Sequence, residues 1–326
     1  MAYDKQVVAA VNERFAQRRE EAFSRLEQRR QEVYEKLPDM RRLDRELSLT
    51  TLTLAKEAVE NHLSEERIAQ LRRDNLVLQS RRMELLAQGG FPTDYLKLQF
   101  RCPACEDLGY IGTRMCDCYR EELVREAYRH SVLANAVPEA SFGAFRLDYY
   151  PDIPDGTGVA PRERMENNLR ICREFAFQFP KQTRSLLLQG PTGLGKTFLS
   201  GCISRELVEQ GVDVVYETAH GIFDTLERDK FSSNAETHAA AQRILDCELL
   251  IIDDLGTEFV TAFSVSALYN LINTRLLRKK KMIISTNCDM SQLEKLYSAR
   301  IVSRLVGEFT LLQFCGQDIR FLKSMD

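Results

Sequence analysis

Apolar side chains recur at intervals of three and four along the first quarter of the chain: Val7, Val11 and Phe15; Leu43, Leu47, Leu54 and Ala58; Leu71, Leu78 and Leu85. Such spacing places them on one side of a helix. Residues 1–90 are dense in Glu, Arg, Gln and Leu, with Pro38 the single proline and no glycine before Gly89, which is helix-forming composition. Pro38-Asp39 is expected to break the first helix, residues 61–64 the second, and Gly89-Gly90 to end the third. The segment carries 17 basic and 16 acidic residues, so its polar faces hold both signs. A narrow apolar seam on long helices buries little area alone. That favours a partner-binding or oligomerising coiled coil over a free-standing helical bundle.

The pattern changes at residue 91. Residues 91–135 hold a cysteine cluster followed by a short helix expected over 119–134. Residues 136–150 read as a linker with aromatic anchors Phe142, Phe145, Tyr149 and Tyr150, leading into a loop with Pro151, Pro154, Gly156 and Gly158. From there strand-like and helix-like segments alternate to residue 326, the pattern of an α/β domain with a mostly parallel sheet. Strands are expected over 185–189, 212–217, 249–253, 282–286 and 309–313. The expected organisation is therefore a helical region over 1–90, a cysteine module over 91–135 and an α/β domain over 136–326.

Composition narrows the class without deciding it. The chain has 44% hydrophobic and 29% charged residues, enough for a packed core and against wholesale disorder. A formal net charge of −3 advertises no global basic surface, so contact with nucleic acid has to rest on local patches or on several assembled copies. No apolar run approaches the roughly 18 residues of a membrane helix, and the first residues lack a secretory signal's apolar core. The expectation is a soluble, cytoplasmic protein without a membrane partner.

Candidate chemistry begins at Gly190-Pro191-Thr192-Gly193-Leu194-Gly195-Lys196-Thr197, which fits G-x-x-x-x-G-K-[ST]. A strand precedes it and a helix follows, so the glycines can wrap backbone N–H groups around phosphate at a helix N-terminus. Lys196 then reaches the β- and γ-phosphates of ATP, and the Thr197 hydroxyl binds Mg²⁺. The run Leu249-Leu-Ile-Ile-Asp253-Asp254 is a strand buried on both faces that delivers two carboxylates at its C-terminal end, where ligands of parallel sheets sit. Asp253 is the Mg²⁺-side carboxylate, and Asp254 is placed to orient or deprotonate the attacking water. Glu258, four residues on, is a weaker rival for the base. The strand over 282–286 ends in Asn287, a turn former or a hydrogen-bonding partner of the attacking water.

Cys102-Pro-Ala-Cys105 and Cys116-Asp-Cys118 put four thiols within seventeen positions. Two close pairs can converge on one tetrahedral ion, with Zn²⁺ the default and an iron–sulfur cluster the minority case. The metal reads as a fold staple. Cys172, Cys202, Cys247, Cys288 and Cys315 read as buried small apolar residues.

The order and spacing of these motifs resemble an AAA+ ATPase. More narrowly, LLLQGPTGLGKTFL, LLIIDDLGTE, IISTNCD and ARIVSRL resemble the DnaC/DnaI helicase loaders and the related IstB transposition ATPases, over residues 136–326. The helical stretch and cysteine cluster are similar, more loosely, to DnaI-type loaders. The resemblance implies that Asn287 is the first sensor. It implies that Arg304, in ARIVSRL, is an arginine finger reaching the neighbouring subunit's γ-phosphate, with Arg300 the second choice. Arg320 falls at the second sensor position, yet the short stretch after the last strand leaves no room for a helical lid domain. Asp254 stands where many AAA+ members carry Glu, which implies slow basal turnover. A finger acting in trans implies a ring or spiral homo-oligomer when ATP is bound.

Residues 220–231 occupy the position of the extra helix that replication-initiator AAA+ proteins place toward single-stranded DNA, with Arg228, Lys230 and Phe231 supplying charge and a stacking ring. A solvated helix end is the alternative. The run Arg278-Lys-Lys-Lys281 fits a helix C-terminus better than a phosphate-tracking patch. The function implied is an ATP-dependent loader of a replicative DNA helicase, in contact with single-stranded DNA. The alternatives are a transposition helper of the IstB kind and a nucleotide-gated adaptor with little hydrolysis.

Overall fold

The computed structural model describes residues 3, 5–59, 65–129, 131, 133, 137–154, 156, 158–181, 184–232 and 234–323, without the side chains of residues 51, 54–59, 65 and 68. Residues 61–64, the expected second helix break, and the Leu54 and Ala58 side chains lie outside that description. The chain divides into two compact units, residues 12–116 and residues 1–11 with 117–326.

The helices α1 (Lys5–Lys36), α2 (Pro38–Val59) and α3 (Glu65–Gln88) follow the apolar spacing, with Pro38 opening α2 and the glycine pair closing α3. In the smaller unit Val33, Met40, Leu43, Leu86, Phe91 and Leu96 pack into one core. A two-stranded antiparallel ribbon, β1 (Tyr110–Ile111) and β2 (Arg114–Met115), follows within the cysteine segment.

The larger unit is built on a five-stranded parallel sheet. Helix α4 (Asp117–Arg129) and α5 (Pro161–Gln178) precede its first strand. Then come β3 (Ser185–Gln189), α6 (Lys196–Glu209), β4 (Val214–Thr218), α7 (Ala219–Phe231), α8 (Ala235–Asp246) and β5 (Leu249–Leu255). After them follow α9 (Ala262–Leu277), β6 (Lys281–Thr286), α10 (Met290–Tyr297), α11 (Ala299–Glu308), β7 (Phe309–Gln313) and the short α12 (Ile319–Lys323). The sheet order is β4-β5-β6-β3-β7, every pairing parallel. Helices cover both faces, so the central strands must be apolar on both sides. Leu249, Leu250, Ile251 and Ile252 are accordingly buried at no more than 1% exposure. Two cores result, one on each face of the sheet. Leu186, Leu188 and Ile251 belong to the first; Leu187, Leu250 and Ile252 belong to the second.

A fully buried arginine ties the second layer to the sheet. Arg275, in α9, donates through Nη1 to Ile244 O at 2.8 Å and through Nη2 to Lys281 O at 2.7 Å. Its charge thereby meets the orphan carbonyls at the end of α8, where a helix terminus favours a cation. The scattered cysteines divide. Cys172, Cys202 and Cys247 are buried as expected, whereas Cys288 and Cys315 are half-buried. These two follow the C-terminal ends of β6 and β7, at the open edge of the sheet.

Candidate nucleotide-binding site

Strand β3 ends at Gln189, and the chain turns through the glycine-rich loop before α6 begins at Lys196. Gly193 and Gly195 adopt φ of 76° and 89°, a left-handed backbone that a Cβ would strain. A Cβ on Gly193 would also lie 1.8 Å from Asp318 Oδ1. The loop is held from behind, because Ile319 N donates to Gly193 O at 3.0 Å and Tyr150 Oη to Leu194 O at 2.9 Å. Lys196 is 5% exposed. Its ammonium donates to Gly190 O and Pro191 O, both at 2.7 Å, and to Asn287 Oδ1 at 2.8 Å. Burial lowers its pKa, opposed by the charges of Asp254 and Asp253.

The two carboxylates reach this point through a distortion of β5. Register with β6 runs Ile252↔Ile284 and then Leu255↔Thr286, so an extra residue is accommodated between them. Asp254 takes φ of 55°, and its N–H donates to Ser285 Oγ at 2.9 Å. In a regular strand neighbouring side chains point to opposite faces, and a bulge re-aims one of them. Asp253 accepts hydrogen bonds from three hydroxyls: Thr197 Oγ1 at 3.1 Å, Tyr216 Oη and Ser285 Oγ. Burial, then the charge of Asp253, raises the Tyr216 pKa, so the phenol stays a donor. Asp254 lines the cavity over the loop. Its carboxyl is pushed above the usual range by burial and by Asp253, against Lys196 and Arg320.

Asn287 follows β6 directly and is fixed by its neighbours. Gln189 Nε2 donates to Cys288 O at 2.9 Å, and Asp289 and Gln292 form a reciprocal cap that opens α10. Glu258 is tethered elsewhere. It accepts from Tyr297 Oη and from Gly256 N at 2.9 Å, and it does not line the cavity.

The cavity has a volume of about 360 Å³. Its phosphate-side wall is Gly193, Gly195, Lys196, Thr197, Asp254 and Asn287, with Arg320 from α12. A further part of its lining is aromatic and went unrecognised as part of a site in the sequence. Phe145 stacks on Tyr150 at 5.8 Å between ring centroids and meets Phe198 at 6.1 Å. Arg146 lies 4.8 Å over the Tyr149 ring. Three of the residues read as linker anchors, Phe145, Tyr149 and Tyr150, line the pocket, and Phe142 does not. Four closely spaced aromatics just before a Pro/Gly loop were the available signal.

Arg304 and Arg300 are not among the residues lining this cavity. Arg304 stacks on Tyr269 at 5.2 Å and donates to its hydroxyl at 3.3 Å. Phe231 is 75% exposed at the end of α7, and Lys230 lies between the Phe231 and Phe263 rings at 5.5 and 5.2 Å. Arg228 pairs with Asp224, and Arg278 with Asp246 at the end of α9.

The four clustered cysteine sulfurs, of Cys102, Cys105, Cys116 and Cys118, all lie within 4.8 Å of one another. Cys102 Sγ and Cys116 Sγ are 3.9 Å apart. A tetrahedral zinc with Zn–S of about 2.3 Å has sulfurs about 3.8 Å apart, so the donor set fits that ion.

Strand, glycine loop and helix, with the carboxylate strand β5 separated from β3 by β6, define a P-loop nucleotide-binding domain. Residues 164–322 match the family model described as IstB-like ATP binding protein. The replicative helicase loader DnaC of Escherichia coli (strain K12) is 23% identical over 143 residues, 44% of this chain and 58% of the relative. An insertion sequence IS21-like putative ATP-binding protein of Bacteroides fragilis is 29% identical over 161 residues, 48% of this chain and 58% of the relative. The chain thus spans less than two thirds of these relatives' length. Among solved structures, the DnaC helicase loader is 18% identical with a TM-score of 0.45, covering 54% of this chain and 97% of that one. The DnaI structure is 22% identical with a TM-score of 0.45, covering 56% and 92%. No described helix is long and apolar enough to cross a membrane.

Proposed function

We propose that this protein is a cytoplasmic ATP-hydrolysing loader of a replicative DNA helicase, working as a homo-oligomer on single-stranded DNA. The observation that carries the ATPase reading is the convergence of Lys196, Asn287, Thr197 and Asp254 on one cavity, with Asp253 bonded to Thr197. Loop N–H groups from Gly190 to Thr197 cradle the phosphates. Lys196 exchanges its loop carbonyls and Asn287 for β- and γ-phosphate oxygens. Thr197 and Asp253 would hold Mg²⁺, whose charge would offset that of the phosphates. Asn287, freed from Lys196, orients the attacking water and Asp254 accepts its proton. The water oxygen–phosphorus bond forms as the β–γ bridging bond breaks, giving ADP and inorganic phosphate. The aromatic wall of Phe145 and Tyr149 suits a stacked adenine. Arg320 faces the phosphates from the same chain. Arg304, outside its own cavity, serves the neighbouring subunit's γ-phosphate. Cys102, Cys105, Cys116 and Cys118 would hold a structural zinc, and the helical region over 1–90 grips the helicase.

The helicase-loader reading draws on the DnaC relatives and on the helical and cysteine segments upstream of the ATPase domain. The IS21-type relatives favour a second reading, a transposition helper ATPase. Turnover measured with single-stranded DNA and either a replicative helicase or an IS21-type transposase separates the two. Complex formation and altered turnover with the helicase alone support the loader. The same response to the transposase alone overturns it. Absence of turnover under every condition leaves a nucleotide-gated adaptor.

A further inference from the structure

A cavity in the smaller unit lies among the helices and uses none of the nucleotide machinery. It is a cleft of about 910 Å³ bordered by α2 and α3. Among the described residues that line it are five cations, Arg30, Arg41, Arg45, Arg82 and Lys97, and one carboxylate, Asp44. That carboxylate is already engaged. Arg82 Nε donates to it at 2.8 Å and Tyr34 Oη at 2.8 Å. Arg30 gives one N–H to Glu27 at 3.0 Å, yet its Nε is buried without a hydrogen-bond partner. An unpaired buried guanidinium donor is costly. The Nε is closed to a ligand, but the Arg30 side chain is 39% exposed and its Nη groups have donors for an incoming carboxylate. Arg41 is braced over the Tyr34 ring at 5.3 Å, which pre-orders its charge.

The remaining wall is aliphatic. Leu86 is fully buried at the base, while Leu49 and Met83 are 62% and 46% exposed. Exposed aliphatic surface rimmed by polar residues marks an interaction site, and here the rim is mostly cationic. Two turns of α-helix, with a diameter of 10–12 Å, occupy about 1,000 Å³, which matches the room available. Nucleic acid would be met by stacking rings, and the one aromatic ring lining the cleft, Tyr34, lies under Arg41.

We infer that this cleft is a docking site for an acidic amphipathic helix of a partner protein, its Leu-type face on Leu49 and Met83 and its carboxylates on Arg30, Arg41 and Arg45. The inference is independent of nucleotide chemistry, since none of these residues lines the phosphate cavity.

The test uses the full chain and a fluorescein-labelled helical peptide with Leu at i, i+3, i+4 and i+7 and Glu on the flanks. A peptide with Lys in place of Glu and a labelled oligo-dT serve as competitors. The acidic peptide is expected to bind with an affinity that falls as salt rises. Arg41→Glu/Arg45→Glu weakens it at least tenfold, and so does Leu49→Ala, a surface truncation that spares the fold. Arg72→Glu/Arg73→Glu, the same charge change outside the cleft, leaves binding within about twofold, and ATP binding is unchanged in every variant. No binding of the acidic peptide, equal binding of the basic one, or equal loss in the control variant overturns the proposal. Loss of oligo-dT binding with retained peptide binding in Arg41→Glu/Arg45→Glu also overturns it and assigns the cleft to nucleic acid.

Discussion

Lys196 Nζ donates to Asn287 Oδ1 at 2.8 Å, linking the first residue of α6 to the residue that follows β6. The ammonium also holds Gly190 O and Pro191 O, so nucleotide binding has to exchange these partners. Asn287→Ala is expected to leave ATP affinity within a few-fold and to cut turnover by about 10²–10³, the usual cost of losing one polar contact made in the transition state. Lys196→Ala should lose nucleotide binding itself. Fluorescent-nucleotide titration alongside phosphate release checks both, and equal loss of affinity in the two variants would contradict the assignment.

Asp254 predicts where turnover fails in acid. Its carboxyl sits above the usual value, about 3.9, because of burial and Asp253, and Lys196 and Arg320 pull it back. A base must be ionised, so turnover is lost as pH falls through this raised value. Arg320→Gln removes one of the lowering charges and should move the acid limb to higher pH. The pH profile of kcat/KM reads both effects; a limb at or below pH 4, or no shift in the variant, would count against Asp254.

The hydroxyls around Asp253 should matter through the metal. Tyr216 and Ser285 orient the carboxylate that is proposed to hold Mg²⁺. Partners of this outer kind typically change metal affinity by about 10–100-fold. Tyr216→Phe is expected to raise the Mg²⁺ concentration for half-maximal turnover about tenfold while the KM for ATP at saturating Mg²⁺ stays nearly constant. An unchanged Mg²⁺ dependence would leave Tyr216 a packing residue.

Zinc removal gives a further check. Protein purified without chelator should carry one zinc per chain, and Cys102→Ser/Cys105→Ser should lose it with a fall in Tm. Elemental analysis finding no zinc, or the absorbance of an iron–sulfur cluster, would refute the zinc assignment.

Much of the α/β core was legible because its central strands are buried on both faces. The edge strand β7 is partly exposed but still carries Phe309, Leu311 and Leu312. Ser185–Gln189 and Phe309–Gln313 lie where the apolar runs and the loop motif placed them. β4 begins two residues later than expected, at Val214, after the turn through Gly211. The bulge in β5 had no signature beyond the Asp-Asp pair, since a backbone register shift depends on β6 and not on local composition. Tertiary folding likewise made a pocket wall of Phe145 and Tyr149, which local reading assigned to a linker. Helix α8 was missed because Ala235–Asp246 is alanine-rich, with few strongly apolar positions to show a period. Glu258 was a reasonable rival on spacing alone, and only the structure reveals its bond to Tyr297.

Mixing two defective variants tests the proposed sharing of the site between subunits most directly. Arg304 stacks on Tyr269 outside the cavity of its own chain, so Arg304→Ala should bind ATP yet turn it over poorly, while Lys196→Ala keeps the arginine and lacks the nucleotide. Phosphate release from an equimolar mixture should exceed that of either variant alone and rise with protein concentration. A mixture no more active than its parts, or full turnover by Arg304→Ala at every concentration, would contradict a site completed by the neighbouring subunit.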